Sequence, residues 1–432
     1  DLANLETILK DGILSAYLRA MANGEMKADA KGKLGGLGES LVDTRLHPIQ
    51  ARQDVVPAQY QVDPRIMDLD EIVRFTADIS RQVAEVHSQL RYNYISTLTQ
   101  LSRELFASSE GALIDQSFAL TQGLCYVVAV GNGISQELYD VLGHQRGWEV
   151  LVDGVHEPLM QFPTFARFSL DLAREAVALA DAPALPAFDR EAIVVTDPHY
   201  NTLVSHEIIG HPVELDRVLK METAYAGRSW LLRSLNEHQV GKQVASPLVT
   251  AYSDPALPGY GHYAYDHEGT PAKRVVHIEN GIFRGFINSR QTAAIFGGDP
   301  NGHWKAIDPS LVPLIRMSNT VFAQGDRDPR DIIKEVDHGW YLVGHRTPSI
   351  AESRENFRIS ARKVYEIRNG ELGRLYRNGG IMADTRDYLM KVDAVGSDFR
   401  LYPIPNCGKG QPMQTKKLGN GGPTTRSRAR LT

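Results

Sequence analysis

The sequence predicts an α+β protein. An N-terminal domain carries helices on a mixed or antiparallel sheet, and a C-terminal domain is built mainly of antiparallel strands. Three observations predict this. Apolar residues recur at helical spacing over 70–90 and 164–182, in the first half. Alternating and β-branched runs lie between those segments. Two Asn-Gly pairs, Asn280-Gly281 and Asn369-Gly370, sit between alternating runs in the second half. Asn-Gly is a strong hairpin signal, because a type I′ turn needs positive φ at both central residues.

The elements follow in order. Residues 1–24 read as an amphipathic helix, with Leu5, Ile8, Leu9, Ile13, Leu14 and Leu18 near helical spacing. KGKLGGLGES at 31–40 lacks the Lys-Ser/Thr ending of a phosphate loop and reads as a flexible connection. From Asp70 to about Leu90, Ile72, Phe75, Ile79, Val83 and Val86 form a helix face behind an acidic first turn. Tyr92, Tyr94 and 97–101 are strand-like. FASSEGALIDQSFAL reads as two strands around a Ser-Glu-Gly turn, and 124–130 as a further strand. A helix over 164–182 ends at Pro183, 192–196 is a short apolar strand, Asp197-Pro198 a turn, and 200–211 a helix. The expected division is an extension over 1–55, an α+β domain over 56–190 and a β-rich domain over 191–432.

Composition narrows the function. The chain has 432 residues, 42% hydrophobic and 23% charged, which is ordinary globular usage and excludes a disordered, fibrous or coiled-coil protein. A formal net charge of −5 argues against wholesale binding of nucleic-acid phosphates. No apolar run approaches the roughly 18 residues of a spanning helix, so no membrane insertion is expected. Two cysteines, Cys125 and Cys407, cannot build a disulfide framework. A reducing compartment, and hence the cytoplasm, is the expectation, although a start at Asp1 leaves a removed signal peptide open.

The sharpest chemical signal is Ser205-His206-Glu207-Ile208-Ile209-Gly210-His211. Two histidines and a glutamate this close point to a zinc site with an adjacent general base. At about 100° per residue, side chains four apart sit about 40° apart on a helix, whereas side chains five apart sit about 140° apart and splay. Something must therefore bend the backbone between His206 and His211. A π-type turn would return five-apart residues to one face. Gly210 makes that distortion cheaper, and Pro212 limits continuation of the helix, so an irregular end at 209–212 is expected. A catalytic zinc needs a third protein ligand. The candidates are Glu214, Asp216, His262, Asp266, His267 and Cys407. Cys407 sits in PNCGKGQP, outside any apparent core, whereas Cys125 in LCYVVAV reads as a core residue. Arg426, Arg428 and Arg430 alternate and should share the solvated face of a terminal strand.

Several separate segments, VSHEIIGHPVELDR, METAYAGRSWL, SDPALPGYGHYAYDHEGTPA, PLIRMSNT and PNCGKGQP, resemble the TldD/PmbA metallopeptidase family in order and spacing. The resemblance runs from about residue 60 to the C-terminus. It departs from the family at His267, where an acidic residue is common. The resemblance implies that His206 and His211 bind Zn2+, that Glu207 is the catalytic glutamate, and that Cys407 completes the metal site. It further implies a zinc peptidase acting on unfolded or modified peptides, with the peptide extended along a strand edge in an enclosed cleft. It implies a homodimer, or a heterodimer with a related subunit that lacks the metal motif. Two alternatives are an amide hydrolase acting on a small peptide-like biosynthetic intermediate and a non-catalytic scaffold subunit of a peptidase complex.

Overall fold

The computed structural model describes residues 4–34, 45–186, 188–224 and 227–432. The α+β architecture is as the sequence predicts. Most of the Gly-rich segment, 35–40, lies outside the described residues, and 31–34 end the first helix rather than forming a loop. That helix, Leu5–Leu34, is longer than the 1–24 expected and does not bury its apolar positions: Leu5, Ile8, Leu9, Ile13, Leu14 and Leu18 are all exposed.

The first sheet is an antiparallel meander of Leu90–Ala107, Leu113–Gly131 and Ile134–His144, with Gln53–Val56 added in parallel. Two helices pack on it. Leu69–Glu85 is capped by Asp68, whose side chain accepts from the Asp70 N–H, and buries Ile79 and Val83. Phe165–Asp181 is capped by Thr164, buries Phe165, Leu172, Ala176 and Leu179, and stops short of Pro183. Along Leu113–Gly131 buried and half-buried residues alternate, the two-residue period of a strand with one face on a core. Cys125 lies on the buried face with no exposure. The expected strand at 124–130 is thus part of a longer one.

The second half holds two larger sheets. In one, Glu191–Thr196 pairs in parallel with His338–Ile350 and antiparallel with Thr425–Leu431. Gly380–Asp384 and Asn356–Arg368 continue the sheet, and Asn356–Arg368 pairs back onto His338–Ile350 to close a ring. The other runs in the order Ile282–Phe283, Val275–Glu279, Ala251–Ser253, Asn319–Phe322, Gln414–Gly422, Arg400–Lys409, with Arg400–Lys409 at its edge. Both Asn-Gly pairs turn hairpins: φ is 49° and 82° at Asn280 and Gly281, and 49° and 78° at Asn369 and Gly370. In Thr425–Leu431 the odd positions are buried while Arg428 and Arg430 are exposed.

The helix Pro198–Val204 packs against both of these sheets. Its start follows from sequence: Asp197 caps it by accepting from the Tyr200 N–H, and Pro198 fills the first turn, where no N–H is needed. All of Tyr200–Val204 is buried, so the segment that follows enters the interior.

Candidate metal centre

At Ser205 the helix changes pitch. Residues Ser205–Gly210 form a π turn, closed by a hydrogen bond from the His211 N–H to the His206 carbonyl, five residues back. A turn of 3₁₀ helix over His211–Val213, containing Pro212, ends it. The wider pitch brings the two imidazoles together, with ring centroids 4.7 Å apart and planes at 85°. Gly210 has an ordinary helical φ of −60°, so its role is space rather than backbone freedom. A Cβ there would lie 1.8 Å from Met317 Sδ.

Cys407 arrives from the edge strand Arg400–Lys409, whose register slips between Ile404 and Cys407. Its Sγ lies 3.7 Å from His211 Nε2. One ligand atom each from His206, His211 and Cys407 fall within 4.8 Å of one another, and all three residues are buried. Tetrahedral zinc with bonds of about 2.05 Å to nitrogen and 2.3 Å to sulfur puts those donors about 3.6 Å apart, so the spacing fits that ion.

The outer nitrogens are held as well. His206 Nδ1 lies 3.0 Å from Asn420 Oδ1 and His211 Nδ1 lies 3.1 Å from Glu214 Oε2. With each Nδ1–H donated outward, each Nε2 is the nitrogen left to turn a lone pair to a metal once the ring is neutral. Glu214 also accepts from Arg217 Nε at 2.7 Å and faces Lys409 at 3.3 Å.

The charges are poised for a cation. Burial opposes ionisation of the Cys407 thiol, but the charges of His206 and His211 outweigh it and hold the thiol well below its usual range. Burial likewise disfavours charging His206, yet Cys407 and Glu207 prevail and raise it to about 9. This setting favours the thiolate, the form that binds metal, opposite a proton on His206 that a metal ion would displace. Burial would raise Glu207, but His206, His211 and Arg354 bring it below the usual carboxylate range.

Of the sequence candidates for a third ligand, Cys407 is the one brought to the histidines. Glu214 orients His211 instead. Asp216 accepts from Lys409 Nζ at 2.7 Å and from the Ile315 N–H. His262 turns Nδ1 to the Pro255 carbonyl, Asp266 caps the N–H groups of Glu268, Thr270 and Trp304, and His267 contacts Glu104 at 3.0 Å. His262 and Asp266 thus satisfy backbone groups of their own loop, whereas Asp216 and His267 are held by distant side chains. Asn420 and Arg354 were not singled out in the sequence. Asn420 lies between glycines in LGNGGP, a faint sign of close backbone approach. Arg354 carries no sign at all, since its partner Glu207 is 147 positions away.

A cavity of about 360 Å³ opens onto the three residues and is also lined by Glu207, Arg354, His345 and the 403–408 segment. A larger hollow of about 800 Å³, walled by Arg217, Trp230 and Arg386, contains none of the three. The donor chemistry makes the smaller cavity the candidate site.

Comparison with known proteins agrees with this chemistry. Residues 189–426 match the PmbA/TldA metallopeptidase C-terminal domain. A metalloprotease of Methanothermobacter thermautotrophicus is 32% identical over 77% of this chain and 68% of its own length. A zinc metalloprotease TldD homolog of Saccharolobus solfataricus is 26% identical over 80% of this chain and 72% of its own. The crystal structure of TldE from Thermococcus kodakarensis shares the fold, with a TM-score of 0.64 at 17% identity over 89% of this chain and 80% of that one. The two sequence relatives carry the name metalloprotease. The chain belongs to the PmbA/TldD metallopeptidase family. No helix among the described residues is long and apolar enough to cross a membrane.

Proposed function

We propose that this chain is a zinc-dependent peptidase in which His206, His211 and Cys407 hold the ion and Glu207 is the general base. The observation that carries this reading is the trio itself. A π turn, an edge strand about two hundred residues later and two outward hydrogen bonds converge on one buried donor set of two imidazoles and a cysteine sulfur. When bound, zinc supplies a Lewis acid that acidifies water and polarises a carbonyl.

The chain's own residues do the rest. Glu207, next to His206 and on the cavity wall, takes a proton from the attacking water and returns it to the leaving amine. Asn420 and Glu214 fix the ring orientations of the two histidines. The edge strand Arg400–Lys409 forms one wall of the cavity, an extended surface along which a peptide can lie. That edge favours unfolded or modified peptides as substrates over a small biosynthetic amide. The complete His, Glu, His and Cys set speaks against a scaffold role.

We place the domain division near residue 190, where the family match begins at 189. We further propose a dimer with a related subunit, as the family resemblance implies. Digestion of casein or a mixed peptide pool, with and without a chelator, tests the reading. Chelator-sensitive cleavage restored by zinc is expected; cleavage indifferent to chelation overturns it.

A further inference from the structure

Arg354 lies in the turn between the strands His338–Ile350 and Asn356–Arg368. Its φ is +65°, a left-handed conformation that disfavours any residue with a Cβ. The turn is pinned from several sides. The Arg354 N–H donates to the Ala351 carbonyl at 2.9 Å and Thr385 Oγ1 donates to the Arg354 carbonyl at 2.7 Å. The Trp230 N–H donates to the Ser353 carbonyl at 3.0 Å. From this fixed base Arg354 Nη1 donates to Glu207 Oε2 at 2.6 Å, with the two side chains 7% and 10% exposed. Among the described residues, Arg354 Nε is buried with no hydrogen-bond partner. The residue lines the same cavity as His206, Glu207, His211 and Cys407.

Stability alone is a poor reason for this arrangement. Desolvating two charges offsets much of their attraction, and packed apolar side chains often serve as well. Here the ion pair also requires an unfavourable backbone conformation and leaves a buried N–H unsatisfied. Strain of this kind gathers where geometry matters to function. We infer that Arg354 is a positioning residue for Glu207: its guanidinium anchors Oε2, so that Oε1 is the oxygen left to face the cavity and exchange the proton. A carboxylate beside two imidazoles has several rotamers open to it; a donor on a rigid turn selects one.

The inference rests on the peptidase reading, so the wild type is assayed first on a peptide pool with added zinc. No cleavage at all would overturn the peptidase reading itself. Given an active wild type, the full chain carrying Arg354→Ala is compared for zinc content, melting, kcat and KM. The expectation is retained zinc, a kcat lower by about 10- to 100-fold, as for other residues that orient catalytic groups, and KM within about threefold of wild type. Millimolar guanidinium should restore part of the lost kcat to the alanine variant, which a purely structural role does not allow. Wild-type kcat in the zinc-loaded variant, or a loss that guanidinium leaves untouched, would overturn the inference. Should Arg354→Ala not fold, Arg354→Lys decides. Lysine keeps the charge but lacks the planar fork, so lowered kcat with intact zinc and KM supports the inference, and wild-type kcat refutes it.

Discussion

Gly210→Ala tests why the π turn can exist. The added Cβ would sit 1.8 Å from Met317 Sδ, whereas ordinary carbon contacts begin near about 3.5 Å. One side must therefore retreat by nearly 2 Å. Met317 is fully buried, and Asn319, two residues on, pairs with Gly419, next to Asn420. If Met317 yields, the strand that carries Asn420, the partner of His206, is disturbed. If the turn yields, His211 moves. Overpacking of this kind costs about 1–3 kcal/mol. At about 2–4 °C per kcal/mol for a unit of 150–250 residues, the melting temperature should fall by about 2–12 °C. Zinc affinity should fall with it, by about 10- to 100-fold as for other losses of ligand orientation. Met317→Ala removes the opposing atoms. Although costly alone, it should make Gly210→Ala less harmful, with a coupling of about 1–2 kcal/mol in a double-mutant cycle. Differential scanning calorimetry and competition for zinc against a chelator read both quantities. A Gly210→Ala variant with unchanged melting and unchanged zinc affinity would refute the reasoning.

Three further outcomes are expected. Glu207→Gln should keep its zinc and lose peptide hydrolysis; turnover at the wild-type rate would remove Glu207 as the base. Glu214→Gln and Asn420→Ala should each weaken zinc binding by about 10- to 100-fold while leaving the protein folded, measured by chelator competition and circular dichroism. His277, which does not line the cavity, is buried against Ser253 Oγ at 2.8 Å and the Gly285 carbonyl at 3.0 Å, and burial lowers it to about 4. Between an unfolded value near 6.5 and 4 the unfolded chain binds the extra proton, so stability is full above pH 6.5 and falls as pH drops through this window, by about 3 kcal/mol for this one group. Urea midpoints at pH 7 and pH 4.5 should show a smaller acid loss in His277→Gln than in wild type; equal losses would refute the assignment.

What could be read from the sequence was local. The five-residue spacing of His206 and His211, set against helical geometry, demanded a distorted turn, and Ser205–Gly210 is one. Asn-Gly pairs marked hairpins because few other pairs tolerate positive φ twice in succession. The fold class followed from periodicities of the same short range. Non-local relations were not legible. Spacing left six candidates for the third ligand; the chemistry of PNCGKGQP leaned toward Cys407, and the resemblance singled it out. The Met317 contact that explains Gly210, the Asn420 and Glu214 hydrogen bonds, and the Arg354–Glu207 pair all join residues whose juxtaposition is made by the sheets. The first helix shows the converse error: its apolar spacing was visible, but spacing does not reveal whether a partner surface exists, and the structure leaves that face exposed.

The most direct test of the account is zinc K-edge absorption on the zinc-loaded chain, with metal content measured in parallel. It should show one sulfur at about 2.3 Å and light-atom ligands at about 2.0–2.1 Å, about one zinc per chain, and loss of the sulfur signal in Cys407→Ala. A zinc shell without sulfur in the wild type, or a sulfur signal that survives removal of Cys407, would contradict it.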